Sequence, residues 1–297
     1  MSFRANELTA VNNFFQKNLD ISNDTINARA QEEFDGFVDK LRSVGIEVIV
    51  IDDVKANDTP DAVFPNNWVS FHRAGDVVLY PMFAENRRRE RREDVITTLE
   101  DHGFHIENII DYSSAEDEGL FLEGTGSLLL DRVNKIVYCA LSDRAHEDLV
   151  IEFCEDFECT PVIFTANQTV DGERKAIYHT NVMMCLGENI AVVCLSSIDD
   201  KKERRNLIAH IKESGKTIID ITEAQMHQFA GNMLQVRNKS GEKFMVMSAA
   251  AHRSLRQDQI DAIEADSTIL SSELEIIETC GGGSARCMMA EVFLPKK

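Results

Sequence analysis

Ile177-Tyr178-His179-Thr180-Asn181-Val182-Met183-Met184-Cys185-Leu186-Gly187-Glu188-Asn189-Ile190-Ala191-Val192-Val193-Cys194-Leu195 is the stretch that decides the fold. Two apolar runs, residues 177–186 and 190–195, flank Gly187-Glu188-Asn189, whose residue types favour a turn, so a β-hairpin is predicted. Downstream, apolar residues at three-to-four spacing over 207–211 predict a helix, and residues 217–221 predict a further extended run. The unit is strand, strand, helix, strand. Hairpin signals recur at residues 64–71 with 77–82, 127–130 with 135–141, 232–236 with 243–247, and 275–279 with 288–294. Helix-like apolar spacing follows at 95–99, 149–157 and 255–263, and residues 161–164 read as extended. A further helix, residues 25–44, precedes a predicted strand at 46–51.

One polar residue stands on or beside the first strand of each pair: Asn67, Glu123, His179, Asn232 and Cys287. They are separated by 56, 56, 53 and 55 residues. Five units of similar length predict radial repetition of ββαβ units, with the polar residues converging near one axis.

Three of the five form a set for nucleophilic chemistry. Cys287 sits in Gly281-Gly282-Gly283-Ser284-Ala285-Arg286-Cys287-Met288-Met289. Glycines let a backbone approach a ligand closely, and a neighbouring cation favours the reactive thiolate. A buried packing cysteine fits the same residues. His179 supplies the imidazole that a thiol nucleophile needs as general acid and base, and Glu123 supplies a carboxylate to orient it or to hold substrate. Singly, His179 reads as a core histidine and Glu123 as a strand end; the shared spacing raises all three. Cys139, Cys185 and Cys194 lie in apolar runs and read as core, and Cys280 as structural. Cys154 and Cys159 lack the further ligands a metal would require. There is no phosphate loop, no dinucleotide fingerprint and no paired histidine spacing, so neither a metal nor an organic cofactor is expected.

Composition narrows the partners. The 297 residues carry 51 acidic against 31 basic side chains, a formal net charge of -20. Such a surface repels phosphate backbones and anionic lipid, which argues against nucleic acid and membrane partners. The basic run Arg87-Arg88-Arg89-Glu90-Arg91-Arg92 is too local to reverse this. Seven irregularly spaced cysteines, no apolar leader and no membrane-length run point to a reduced, cytoplasmic protein acting on a small molecule. A homodimer is left open.

Thr9-Ala10-Val11-Asn12-Asn13-Phe14-Phe15-Gln16, Phe64-Pro65-Asn66-Asn67-Trp68-Val69-Ser70-Phe71-His72, Pro81-Met82 with Asn86-Arg87-Arg88, and the Cys287 loop carry a family resemblance across essentially the whole chain. Together they resemble the guanidino-group-modifying enzymes (arginine deiminases, dimethylarginine hydrolases and amidinotransferases), and most of all the citrulline-utilisation hydrolase branch. The resemblance implies an α/β fold, a five-bladed α/β propeller or pentein, in one domain over residues 1–297. It implies Cys287 as nucleophile, His179 as general acid/base and Glu123 as the carboxylate touching substrate or histidine. It places Arg87 or Arg88, with Arg144, on the α-carboxylate of an amino-acid substrate, and Phe64, Asn67 and Asn181 in the substrate site. Relatives usually have a strand before the segment resembling 3–16, so the first blade is expected to be short of an inner strand or to begin further upstream.

The departures bear on the substrate. Arginine deiminases carry an aspartate where this chain has Asn67, histidine-x-aspartate where it has His179-Thr180-Asn181, and Glu-Gly-Gly-Asp where it has Glu123-Gly124-Thr125-Gly126. A guanidinium is a cation whose N–H groups need acceptors, whereas a ureido group is neutral and its carbonyl needs a donor. An amide side chain offers both, an ionised carboxylate only accepts. Burying a cation without its counter-charges costs several kcal/mol. Citrulline is therefore expected over arginine. Glu123 remains, so an arginine deiminase or dimethylarginine hydrolase is the alternative, and a non-catalytic binding propeller a lesser one.

Overall fold

Four times along the chain a hairpin is followed by a helix and a third strand that returns parallel to the second. The computed structural model describes residues 3–297, and Met1 and Ser2 of the expected domain lie outside the described residues. In the first unit β1 (Val69–Phe71) pairs antiparallel with β2 (Asp76–Leu79), which pairs parallel with β3 (Asn108–Asp111). The second unit repeats this with β4 (Leu129–Asp131), β5 (Ile136–Leu141) and β6 (Thr160–Thr165). A separate hairpin, β7 (Asn167–Val170) and β8 (Glu173–Ala176), precedes the third unit. That unit consists of β9 (Met184–Leu186), β10 (Ile190–Val193) and β11 (Thr217–Asp220). The fourth consists of β12 (Leu234–Arg237), β13 (Lys243–Ser248) and β14 (Thr268–Ser272).

Helices cross over between the second and third strands, as a parallel return requires. Lys201–Glu213 is N-capped by Asp200, whose carboxylate accepts from the backbone of Lys202 and Glu203, and it buries Leu207 and Ile211 against the sheet. The largest apolar cluster joins the second, third and fourth units through Tyr138, Val162, Met184, Val192 and Met245, all fully buried. Each such side chain contributes ~1.5–3 kcal/mol by leaving water.

The predicted fifth hairpin is not formed. Residues 275–279 turn into a helical segment, Ile277–Gly281, because Glu33 of helix Asn23–Ser43 accepts the Ile276 and Ile277 N–H groups and so starts a turn there. Residues 288–294 and 46–51, both predicted as strands, enter no sheet, and Met288 still lies in the turn begun at Ser284. The result is an α/β fold of small sheets, none closed on itself, in which four of the five expected units are complete. The β7–β8 hairpin was hidden by its polar flanks, although its turn, Asp171-Gly172, is a strong hairpin signal with positive φ at both residues.

Strands also start later than the apolar runs suggest. Asn67 ends a short helical turn, Pro65–Asn67, and Glu123 and His179 immediately precede the turns Gly124–Ser127 and Thr180–Met183. The polar residues therefore stand at the N-terminal mouths of the first strands rather than within them. That is what brings them together.

Candidate active site

Asn67, Glu123, His179, Asn232 and Cys287 are all buried, none more than 2% exposed. Asn67, His179 and Cys287 line one small cavity together with Asn13, Asp61, Phe64, Arg87, Arg144 and Tyr178. A much larger cavity lies elsewhere, lined among others by residues 46–53 and 288–292, and shares none of these polar groups.

The imidazole Nε2 of His179 lies 2.8 Å from Glu123 Oε2. Burial alone would raise the Glu123 carboxyl, but Arg144, the His179 hydrogen bond and Arg87 outweigh it and hold it at about 2. An ionised carboxylate only accepts, so Nε2 carries the proton and Nδ1 is left as acceptor. Burial pushes His179 down to about 4 against the pull of Glu123, which leaves it neutral at pH 7. Glycine is required beside it: a Cβ on Gly126 would sit 2.8 Å from His179 Nδ1 and 2.5 Å from Asn67 Nδ2.

Two side-chain amides donate to the Cys287 sulfur, Asn232 Nδ2 at 3.3 Å and Asn181 Nδ2 at 3.4 Å. A sulfur carrying negative charge accepts such bonds more strongly than a neutral thiol. Asn232 Oδ1 also accepts the Arg286 N–H at 3.1 Å, which ties the loop in place. The glycines before Cys287 make room for Phe64, whose ring would lie 2.7 Å from a Cβ on Gly281 and 2.9 Å from one on Gly283.

The arginines divide. Arg87 donates to both oxygens of Glu90 at 2.9 Å, to Asn67 Oδ1 at 2.7 Å and to the Phe64 carbonyl at 3.2 Å. Its donors are engaged within the protein, which makes it a brace for Asn67. Arg144 is held by Asn12 Oδ1 and the Thr9 carbonyl through Nε and one terminal nitrogen. Its other terminal nitrogen stands 3.5 Å from Glu123. Arg88 does not reach the cavity; its Nε donates to the Met82 carbonyl and pairs with Glu116 at 3.2 Å. Asn181 contacts the sulfur, a different place from the substrate contact expected of it.

Sequence reading passed over Asp61, Tyr178 and Asn13, and gave Asn232 a place by spacing but no role. Asp61 Oδ2 accepts from Asn6 Nδ2 at 2.8 Å and from the Thr9 hydroxyl at 3.1 Å. Its Oδ1 is buried with no hydrogen-bond partner among the described residues. Asn13 Nδ2 donates to the carbonyls of Gly281 and Gly282, and the Tyr178 hydroxyl donates to the latter. Only the position of Asp61, three residues before Phe64 of the motif, hinted at it. Among the described residues no group of three His, Cys, Asp or Glu side chains could hold a metal, and no helix is long and apolar enough to cross a membrane.

The model of the family described as N,N dimethylarginine dimethylhydrolase, eukaryotic, matches residues 1–294. No curated protein matches the chain. Among solved structures, apo ArgZ, an arginine dihydrolase from the ornithine-ammonia cycle in Cyanobacteria, superposes with a TM-score of 0.74 at 18% identity over 100% of this chain and 40% of that one. The N-terminal domain of a substrate-bound ArgZ mutant gives 0.66 at 19% identity, covering 90% of this chain and 89% of that one. A dimethylarginine dimethylaminohydrolase variant, as its adduct with S-methyl-L-thiocitrulline, gives 0.62 at 14% identity, covering 88% and 87%. At such identities the likeness is one of fold, and this chain spans about two fifths of the full ArgZ chain. With the family model matched over nearly its whole length, the chain belongs to the N,N-dimethylarginine dimethylhydrolase family of the guanidino-group-modifying, pentein superfamily.

Proposed function

We propose that the protein is a cysteine-dependent hydrolase acting on the ureido carbon of citrulline, giving ornithine, ammonia and carbon dioxide. The observation that carries this reading is the neutral lining around the sulfur. Asn67, Asn181 and Gly126 stand where carboxylates would be needed to receive a guanidinium, and Asn232 adds a further neutral amide at the sulfur.

In the proposed reaction the Cys287 sulfur attacks the ureido carbon as its proton passes to His179 Nδ1. The C–S bond forms, and negative charge gathers on the former carbonyl oxygen, where backbone N–H groups of the 283–287 loop would stabilise it. The C–N bond then breaks, and His179 returns the proton to the departing ammonia. Water next gives a proton to His179 and attacks the thiocarbamoyl carbon, Cys287 leaves, and the resulting carbamate loses carbon dioxide to release ornithine. Glu123 holds the imidazole in the required tautomer throughout. Arg144 is assigned the substrate α-carboxylate and the unpartnered oxygen of Asp61 the α-ammonium. Arg87 acts through Asn67 and Glu90.

Asp61 also favours a second reading, in which arginine or dimethylarginine is the substrate. With Glu123 it places two carboxylates at the cavity, and solved relatives of the same fold include an arginine dihydrolase. A panel of citrulline, arginine, methylarginine and agmatine, scored for ammonia, alkylamine, citrulline and ornithine, separates the readings; agmatine, lacking the carboxylate and scored by ammonia, tests Arg144. The same proposal takes residues 1–297 as one five-bladed propeller domain of a reduced, cytoplasmic protein that works without metal or organic cofactor.

A further inference from the structure

Glu278 is a buried carboxylate, 6% exposed, that the proposed reaction does not use. It lies in the helical segment Ile277–Gly281, which runs into the glycine loop that carries Cys287. The apolar cluster around this segment joins Val246, Leu274 and Ile277 to Cys287 itself. Burial pushes the Glu278 carboxyl up to about 7, while the Ser248 and Ser284 hydroxyls pull it back. Of the charged groups near it, Glu33 of helix Asn23–Ser43 adds to the rise and Arg253 of helix Ala249–Ser254 opposes it. An apolar side chain of similar volume generally packs as well or better in such a place, so the reason for an acid there lies in what it binds.

It binds the nucleophile loop at two places. Its backbone carbonyl accepts the Gly282 N–H at 2.9 Å, and its Oε1 accepts the hydroxyl of Ser284, a fully buried residue, at 2.6 Å. The Ser284 carbonyl in turn accepts the Cys287 N–H at 2.9 Å and the Met288 N–H at 3.3 Å, closing the turn that carries the sulfur. Glycines leave a chain its widest conformational freedom, and three of them precede this turn. Asn13 and Tyr178 hold the carbonyls of the first part of the loop, and Asn232 holds the Arg286 N–H. Between those ties, the Ser284 hydroxyl has Glu278 as its one partner among the described residues. A turn free to shift there would carry the sulfur away from the Asn181 and Asn232 amides.

We infer that Glu278 is a positioning residue for Cys287: through Ser284 it fixes the turn that aims the sulfur at the two amides and at the substrate carbon. It touches no substrate itself. The inference rests on the reading of Cys287 as nucleophile and not on which head group the sulfur attacks.

The test compares Glu278→Leu, Glu278→Gln, Ser284→Ala and the double variant Glu278→Leu/Ser284→Ala of the 297-residue protein. Each is scored by kcat, KM and Tm, on citrulline or arginine, whichever the wild type turns over faster. Glu278→Leu should lower kcat by about tenfold or more, because small displacements of a reacting group are costly, with KM within about twofold and Tm held or raised. Ser284→Ala removes the same bond from the loop side and should give the same loss; it carries the test if the leucine variant does not fold. Glu278→Gln should stay within about threefold of the wild-type kcat, since the carboxamide oxygen still accepts the Ser284 hydroxyl. The double variant should be no slower than the slower single one, because both remove one interaction. Wild-type kcat in Glu278→Leu and Ser284→Ala would overturn the inference. So would losses that multiply in the double variant, a glutamine variant as slow as the leucine one, or a kcat that falls only as Tm falls. A preference for arginine would sink the citrulline reading and leave this inference standing; turnover of neither substrate by the wild type would overturn both.

Discussion

The two ends of the small cavity are built on different principles. Beside the sulfur stand the neutral amides of Asn181 and Asn232, and the charged groups lie behind His179, where Glu123 Oε2 also faces Arg144 at 3.5 Å and Arg87 at 3.7 Å. Away from those amides stand the charged side chains Asp61 and Arg144, tied to Thr9 and Asn12; Asp61 Oδ1 has no hydrogen-bond partner among the described residues, and the remaining nitrogen of Arg144 faces Glu123. A site that recognised a cation at its reacting carbon would have the charges the other way round. On the proposed reading, charge here serves to grip the amino-acid end of the substrate, while the reacting group is met by dipoles.

Removing Cys287 should break the sulfur end outright: Cys287→Ala is expected to lose at least about 10⁴-fold in kcat with the fold retained, measured as ammonia release. His179→Asn should cost ~10²–10⁴-fold, because proton transfer in both half-reactions passes through it. At the far end, Asp61→Asn should raise KM by ~10–100-fold with little change in kcat, the loss of one hydrogen bond to a charged group. A comparable fall in kcat with unchanged KM would move Asp61 from recognition to chemistry. The smallest expected effect is on pH dependence. His179 is depressed from 6.5 to about 4 in the folded protein, so the unfolded chain takes up its proton first. Stability should decline as pH falls from about 6.5 towards 4, and Glu123, held at about 2, adds a further loss below its unfolded value of 4.5. Tm measured against pH should show His179→Asn flattening the upper part of that decline.

The sulfur end was legible because its residues keep one spacing. Glu123 and His179 stand just before the first strands of the second and third units, Cys287 keeps their spacing although no hairpin forms around it, and periodic spacing survives in a sequence even when each residue alone is ambiguous. Asp61 and Asn13 belong to connecting segments with no period, and their roles appear only once the chain brings 6–17 and 281–283 against them. Arg88 shows the converse: it stands beside Arg87 in sequence, yet in the turn Glu85–Glu90 consecutive side chains diverge, and Glu116 draws it away. The fifth hairpin failed for a tertiary reason, since Glu33, more than two hundred residues away, turns 276–277 into a helical start.

The account turns on the head group that meets Cys287. Its most direct measurement is kcat/KM of the purified protein for citrulline against arginine, with ornithine and ammonia quantified in each. The neutral lining predicts faster turnover of citrulline, with one ammonia for each ornithine. Faster release of ammonia from arginine would contradict it, and would mean that Asp61 and Glu123 serve a guanidinium after all.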